Sequence, residues 1–228
     1  MEGVKQFDLA TTPLREVNRY LHSTSADAKR VKILNADGAH SIAAGLDAPF
    51  EVEVEGHAGY YLGGMNKAAN ITVRGNAGPG VGENMMSGTI RVEGFASTAA
   101  GASAHGGTLI IHGDASLRCG ISLKGGDIVV GGDVGSFSAF MAQAGRIVIC
   151  GDAGDALGDS LYEAVIYVRG KVRSLGADAR FEDMTESDYS AVGELLARAG
   201  FTHDPREFKR VASARSLYHW NADANQEY

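Results

Sequence analysis

The chain has 228 residues, and 31 of them are glycine, against the roughly 16 that ordinary usage would give. The formal net charge is −7 and the pI about 5.5, so no basic surface for a nucleic-acid backbone is expected. No segment reaches the roughly 18 apolar residues of a membrane span, and the first residues lack the apolar run of a signal peptide. We therefore expect a cytoplasmic protein.

Residues 1–30 are predicted to form an N-terminal helical extension. Thr12 and Pro13 are typical of a helix start, because proline is tolerated in the first turn, where its missing N–H is not needed. The predicted helix ends at about His22.

A repeat organises residues 31–183. Seven glycines follow one another at intervals of 19 residues without insertion: Gly56, Gly75, Gly94, Gly113, Gly132, Gly151 and Gly170. Each glycine closes a short alternating run of β-branched residues, such as Ile71-Thr72-Val73, which is typical of a half-buried strand. A less regular first copy begins at Val31-Lys32-Ile33, with Asp37 at the glycine position, since terminal repeats are often atypical.

The repeat predicts stacked coils with vertical columns of like residues. Two more small-residue columns divide each coil: Gly63, Gly82, Gly101, Gly120, Ala139 and Gly158, then Gly88, Gly107, Gly126, Gly145 and Ala164. Glycine at such corners supplies positive φ at low cost. Large residues are predicted to face inward at 52, 71, 90, 109, 128, 147 and 166, and small ones at 58, 77, 96, 115, 134, 153 and 172. The predicted fold is all-β: a single-stranded right-handed parallel β-helix of about 7–8 coils.

Residues 184–228 are predicted to be a C-terminal helical extension. Val192, Leu195, Leu196 and Ala199 have helical spacing, and Gly200 is the expected stop. A second helix is predicted after Asp204-Pro205, through about Leu217. Helices at both ends would protect the open sheet edges.

The outward column at the strand centres changes character along the stack. It begins with Glu53, Thr72 and Arg91 and continues with four apolar residues: Ile110, Val129, Val148 and Tyr167. A contiguous apolar patch on a surface indicates a contact. Either the C-terminal helices of the chain or a partner subunit should cover this candidate partner-contact patch, and the sequence leaves both possibilities open.

Carboxylates recur at one corner of the predicted stack. Asp114, Asp133 and Asp152 follow the repeat glycine in three successive coils. Stacked carboxylates could hold a hard cation. The same column also contains Asn76, Phe95 and Lys171, which favours turns in which each side chain accepts a hydrogen bond from a nearby backbone N–H. No metal site is predicted.

The other reactive residue types are scattered. Cys119 and Cys150 fall in different columns two coils apart, about 10 Å along the stack and beyond disulfide reach, so both are expected to be reduced and not nucleophilic. The seven histidines lack zinc-site spacing. Residues 78–82 (GPGVG) look like a phosphate loop but lack the lysine and helix that should follow. No catalytic or cofactor-binding residue is predicted.

Three stretches resemble the GXGXG β-helix domain of the glutamate synthase family. They are residues 57–64 (HAGYYLGG), 71–75 (ITVRG) and 81–88 (VGENMMSG), and the resemblance extends over about residues 31–180. Residues 35–38 (NADG) and 151–160 (GDAGDALGDS) look closest to the separately encoded small subunits, as in N-methylglutamate synthase and free-standing glutamate synthase-like subunits.

The resemblance implies a subunit of a larger enzyme. Its implied partners are a class II glutaminase-like subunit and a synthase-like subunit that carries FMN and an iron–sulfur cluster. The assembly would convert methylamine and L-glutamate to N-methyl-L-glutamate and ammonia, with no catalytic residue on this chain. Alternatives are a subunit of a genuine glutamate synthase or of formylmethanofuran dehydrogenase. A left-handed acyltransferase helix is disfavoured, since 19 is not a multiple of its six-residue repeat. A stand-alone carbohydrate-active β-helix is disfavoured, since the outward columns show no cluster of paired carboxylates with a basic residue.

Overall fold

A computed structural model describes residues 3–23, 26 and 28–215. Eleven strands form one sheet in the order β1-β2-β3-β4-β5-β6-β7-β8-β9-β11-β10. Their bounds are Val4–Asp8 (β1), Arg30–Leu34 (β2), Glu51–Val54 (β3), Asn70–Val73 (β4), Thr89–Val92 (β5), Thr108–Ile111 (β6), Lys124–Val130 (β7), Ala144–Ile149 (β8), Val165–Val168 (β9), Ala179–Glu182 (β10) and Lys209–Ser213 (β11). Strands β1 to β9 are parallel. The predicted β-helix is confirmed as a β-solenoid of about seven turns.

The 19-residue interval sets the register of the sheet. Val52 pairs with Ile71, Ile71 with Ile90 and Ile90 with Leu109, and the column continues to Ile166. The small-residue column is present as a series of single bridges from Ala58 to Val172. All members of the large inward column are almost fully buried, so burial of apolar area at each level stabilises the stack.

The first coil is longer than predicted. Val31 pairs with Val52, a separation of 21 residues. Continued two residues beyond the last pair, this register aligns Gly56 with Asn35, whereas Asp37 was predicted at that position. Asn35 has a φ of 53°, and asparagine tolerates this left-handed conformation better than most residues.

In each turn segment, left-handed backbone conformations occur at every second residue. In one coil Tyr61, Gly63 and Met65 have φ of 62°, 61° and 56°. The N–H groups of Tyr61 and Met65 bond to the next coil, at Pro79 and Glu83, whereas that of Gly63 bonds back to Ile42. Hydrogen bonds to both neighbouring coils hold the non-glycine residues in a conformation that is otherwise unfavourable.

The middle left-handed position carries the predicted glycine column for two reasons. A Cβ on Gly63 would lie 2.6 Å from Cδ1 of Ile90 in the core, so space is short as well as φ positive. Ala139 takes this position in one coil, with a φ of 59°.

The N-terminal extension is only partly helical. Helix α1 (Leu14–Leu21) follows Pro13 as predicted and buries Val17 and Leu21 against the end of the core. Strand β1 was not predicted, and it adds a further parallel strand beside β2. Lys5 aligns with the inward-facing Val31, and a charge at such a position discourages another strand from pairing with this edge.

The C-terminal extension contains one of the two predicted helices. Helix α2 (Glu186–Ala199) begins with a capping box between Thr185 and Asp188 and ends at Gly200, whose φ is 86°. The second helix is wrong: Asp204 caps only one 3-10 turn, Pro205–Glu207, and the chain then forms β11.

Pairing at the end of the sheet explains why a strand replaces that helix. Strand β11 inserts between β9 and β10, antiparallel to both. Val211 aligns with Ile166 and Phe181, which extends the inward column by one level. The predicted end of the helix at Leu217 lies outside the described residues.

Candidate interaction surfaces

The apolar outward patch is covered by the chain itself. Ile110, Val129, Val148 and Tyr167 are at most 3% exposed. They form a second apolar cluster with α2 and the segment after it, whose buried members are Cys150, Val192, Leu195, Leu196, Ala199 and Phe208. The patch is therefore corrected from a candidate partner contact to an internal interface, which was the other alternative that the sequence left open.

Buried polar groups fix the start of α2 on this patch. The hydroxyl of Tyr167 donates to Oδ1 of Asp188 at 2.7 Å, and that of Thr185 donates to Oδ2 at 2.6 Å. Burial, followed by the hydrogen bond to Asp188, raises the pKa of Tyr167. Burial acts to raise the pKa of Asp188 as well, but the hydrogen bonds from Thr185 and Tyr167 outweigh it and the pKa is lowered. A neutral phenol therefore faces a carboxylate.

Arginines fix the other end of α2. Nη1 of Arg91 donates to the carbonyl oxygen of Ala199 at 2.9 Å, and Nη2 to that of Arg198 at 3.1 Å. The last carbonyls of a helix need such donors. Arg198 in turn donates to Oγ1 of Thr108 and lies 3.7 Å from Asp127, which Arg146 binds through two nitrogens.

The carboxylate column hydrogen-bonds to the backbone of the next coil. Oδ1 of Asp114 accepts from the N–H of Asp133 at 2.8 Å, and Asp133 and Asp152 repeat the contact at 2.7 Å. Asn76 and His57 do the same with their own acceptors. Each side chain thus accepts a backbone hydrogen bond, as the turn interpretation expected, but the donor lies in the next coil and not in a local turn. Among the described residues, no group of three or more acidic, cysteine or histidine side chains could hold a metal ion.

These contacts also explain the repeat glycines. A Cβ on Gly132 would lie 2.0 Å from Oδ1 of Asp114, and one on Gly151 would lie 2.2 Å from Oδ1 of Asp133. At these two levels glycine is needed because the side chain of the previous coil passes over it, not because its φ is positive. The predicted reason for glycine is thus wrong for Gly132 and Gly151, whereas Gly56, the first glycine of the column, has a left-handed φ of 90°.

The remaining candidates for chemistry have structural surroundings. Cys119 and Cys150 are free and buried, and burial raises the pKa of their thiols to about 12 and about 11. Neither thiol is primed as a nucleophile. In the loop 78–82, Gly80 and Gly82 occupy two of the left-handed turn positions, which accounts for both.

The N-terminal half of the outward face carries an ion-pair ladder in solvent. Lys32 contacts Glu53 and Glu55 at 3.0 and 2.7 Å, and Arg74 binds both Glu53 and Glu93. Hydrogen bonds from Arg74 and then Lys32 lower the pKa of Glu53 to about 2. Beside this ladder a cleft of about 950 Å³ opens between the chain after β1 and the first two coils, with Leu9, Leu14, Leu34 and His57 in its lining.

A different surface exposes apolar side chains. The turn segments carry most of the large exposed apolar residues of the described chain: Tyr60, Met65, Met86, Leu117, Phe137, Met141 and Tyr162. Within them, the turn-face patch comprises Leu117, Ile121, Phe137, Phe140 and Met141, on two adjacent coils. The rings of Phe137 and Phe140 meet edge to face, with centroids 6.2 Å apart.

Sequence reasoning missed the turn-face patch, although a signal existed. Two of its columns hold Gly80, Ala99 and Ala102 in the middle coils and carry Ile121, Phe137 and Phe140 in the later ones. Helix α2 and the segment after it cover the later part of the strand face and leave the turn face open. In the described part of the chain, no helix is long and apolar enough to cross a membrane.

The chain is 53% identical over 224 residues to "Protein GlxC" of Rhizobium meliloti (strain 1021), covering 97% of this chain and 98% of that protein. It belongs to the same family as that protein. A comparison with protein-family models finds no match. Because the alignment spans nearly both full lengths, the shared unit includes the coils, α2 and β11 alike.

Proposed function

We propose that this chain is a non-catalytic β-helix subunit of a cytoplasmic glutamate synthase-type complex, and specifically of N-methylglutamate synthase. The observation that carries the proposal is that the polar side chains along the stack make structural contacts within the chain. The carboxylates of the corner column accept backbone hydrogen bonds, and the glutamates of the outward face bind Lys32 and Arg74. The resemblance of residues 31–180 to the GXGXG domain supplies the type of complex.

The proposed role is to hold a class II glutaminase-like subunit and an FMN and iron–sulfur subunit in a fixed relation. A β-solenoid suits this role, because every coil is hydrogen-bonded to both neighbours and the spacing of surface residues is set by the backbone. Reactive amines then pass between sites without loss to water. FMN and the iron–sulfur cluster belong to the partner in this proposal.

The turn-face patch is the surface we assign to a partner subunit. Its composition supports the assignment, since aromatic residues and methionine are enriched in interface cores. Phe137 is 44% and Leu117 is 49% exposed, so the patch is accessible on the isolated chain. The solvated ion-pair ladder is less suited to a stable contact, because exposed pairs contribute little.

Co-purification tests the proposal. The chain is tagged in its native host, purified under mild conditions, and the accompanying chains are identified by mass spectrometry. Glutaminase-like and flavin-containing subunits should accompany it in fixed stoichiometry, and the isolated chain should not act on glutamine or glutamate. Turnover by the isolated chain, or purification without such partners, would exclude the proposal. Other subunits, such as those of formylmethanofuran dehydrogenase, would reassign the complex.

A matched pair of variants tests the surface. Phe137→Asp should leave the chain folded and abolish co-purification, whereas Phe95→Asp, at an equally exposed phenylalanine in the corner column, should not. Loss of partners in both variants, or in neither, would contradict the assignment of the turn-face patch.

A further inference from the structure

The segment after α2 is held by a row of five side chains. Nη1 of Arg91 lies 2.8 Å from Nε2 of His112, and the His112 ring lies 5.2 Å from that of Phe201. The rings of Phe201 and His203 are stacked, with centroids 6.2 Å apart and planes inclined by 29°. Nδ1 of His203 lies 2.9 Å from Nη1 of Arg169. The order is therefore Arg91, His112, Phe201, His203, Arg169, and we call this row the latch.

A glycine on the outer face of the sheet leaves room for the latch. His112, Gly131, Cys150 and Arg169 succeed one another in one outward column at intervals of 19 residues. A Cβ on Gly131 would lie 2.6 Å from Cζ of Phe201. The phenyl ring thus occupies the gap that glycine leaves, with a histidine on either side.

The hydrogen bonds of the latch need both histidines neutral. A guanidinium group only donates hydrogen bonds, so Nε2 of His112 and Nδ1 of His203 must accept. A proton on either nitrogen removes the acceptor and places a second positive charge beside an arginine. Glu93 next to His112 and Glu207 next to Arg169 offset part of that repulsion. At His112, burial and then the Arg91 charge outweigh Glu93, and the pKa is lowered.

The latch is joined directly to α2. Arg91, which donates to His112, also donates to the carbonyl oxygens of Arg198 and Ala199 at the end of the helix. At the other end of the row, Arg169 donates to the carbonyl oxygen of Cys150 at 2.8 Å. Loss of the histidine acceptors would therefore loosen the last turn of α2 and uncover Cys150.

We propose that the latch is a proton-sensitive device that keeps α2 over the apolar face and releases it when His112 is protonated. The inference does not depend on which complex the chain belongs to. Protons bind better to the open state, where His112 has left Arg91. Opening is thus favoured as the pH falls below the ordinary histidine pKa of about 6.5, by up to about tenfold per pH unit.

The two cysteines provide a readout with a built-in control. Cys150 lies under the segment that the latch holds, whereas Cys119 lies in the solenoid core. Labelling by 4,4′-dithiodipyridine is measured at pH 7.5 and pH 5.5, each rate relative to that of the denatured chain at the same pH, which cancels the change in thiol reactivity. Protection of Cys150 should fall by up to about tenfold between these pH values, the limit for one histidine, while protection of Cys119 stays unchanged.

A glutamine variant identifies the group that titrates. His112→Gln keeps an acceptor beside Arg91 but removes the titration, so the protection of Cys150 should no longer depend on pH. His105→Gln, at an exposed histidine on the turn face, should keep the full dependence. Unchanged protection in the natural chain, a dependence that persists in His112→Gln, or simultaneous exposure of Cys119 would each overturn the proposal.

A measurement without substitutions guards against a misfolded variant. In an NMR pH titration of the natural chain, the amides of α2 should lose protection from exchange over the same pH range in which the imidazole of His112 titrates. Titration of that imidazole while the α2 amides stay protected would also overturn the proposal.

Discussion

One column of strand-centre positions runs the length of the outward face, and its two halves are stabilised in different ways. In the first coils Glu53 is paired with Lys32 and Arg74 in solvent. In the later coils Val129 and Tyr167 are buried under α2. The backbone register is the same throughout.

The difference shows that the solenoid itself does not decide what its outer face carries. Inside, each level must fill the same narrow space, so the inward column stays apolar. Outside, the side chain depends on whether another part of the chain lies over it. Ion pairs suit the part that water reaches, and apolar side chains with a few fully bonded polar groups suit the covered part.

A charge introduced beneath α2 should have the largest effect on stability. Val129→Asp places a carboxylate at a fully buried position that faces α2, and we expect a loss of about 3–5 kcal/mol in the free energy of unfolding, or a failure to fold. Denaturant unfolding followed by circular dichroism measures it. Thr72 lies in the same column but is not covered by α2. Thr72→Asp should therefore change stability by less than about 1 kcal/mol. Equal effects in the two variants would remove the distinction between the halves.

A methyl group at the shared corner should disturb the register on which both halves depend. Gly132→Ala would bring Cβ within 2.0 Å of Oδ1 of Asp114, and we expect a loss of about 2–4 kcal/mol. Adding Asp114→Ala to this variant should recover part of the loss, because the obstructing carboxylate is gone. A double-mutant cycle without coupling would contradict this account of the repeat glycine.

Two arginines on the outward face compare the halves directly. Arg91→Ala removes donors from the last carbonyls of α2, with an expected loss of about 1–3 kcal/mol. Arg74→Ala removes only solvated ion pairs, and we expect less than about 1 kcal/mol. Thermal unfolding of both variants is measured in low salt and in 1 M salt. The high salt concentration should diminish only the stability loss of Arg74→Ala. If high salt also diminished the loss of stability in Arg91→Ala, the role of Arg91 in capping α2 would be contradicted.

The smallest expected effect is the pH dependence of the ladder. The pKa of Glu53 in the folded chain, about 2, lies below its ordinary value of 4.5, so its contribution is present above pH 4.5 and is lost as the pH falls toward 2. Because Glu53 is about one-third exposed, solvent screening should keep this contribution below about 1 kcal/mol. The slope of stability against pH in that range should flatten in Arg74→Ala. An unchanged slope would show that Arg74 does not set the pKa of Glu53.

The interval of 19 residues was sufficient to predict the solenoid, its inward columns and the burial of Cys119, because identical spacing forces identical stacking. Helices α1 and α2 were also predictable from their terminal residues. The two missed strands were not, because β1 and β11 lie outside the repeat. Only the end coils, each with an unpaired edge, determine that they become strands rather than loops or a helix.

Local spacing was less informative about surfaces. It revealed the apolar column of Val129 but could not decide what covered it, since the approach of α2 depends on contacts far apart in the chain, such as that of Arg91 with Ala199. The turn-face patch was overlooked because its residues lie in turns, where no strand or helix period applies.

Reconstitution with and without this chain tests the central claim, that it organises the complex and performs no chemistry. The partner subunits are combined, and glutaminase half-reaction, flavin reduction and coupled product formation are measured. The account predicts that both half-reactions persist without the chain, that coupled formation of N-methylglutamate is lost, and that adding the folded chain restores it. Loss of a half-reaction when the chain is omitted, or coupled turnover that does not need it, would contradict the account.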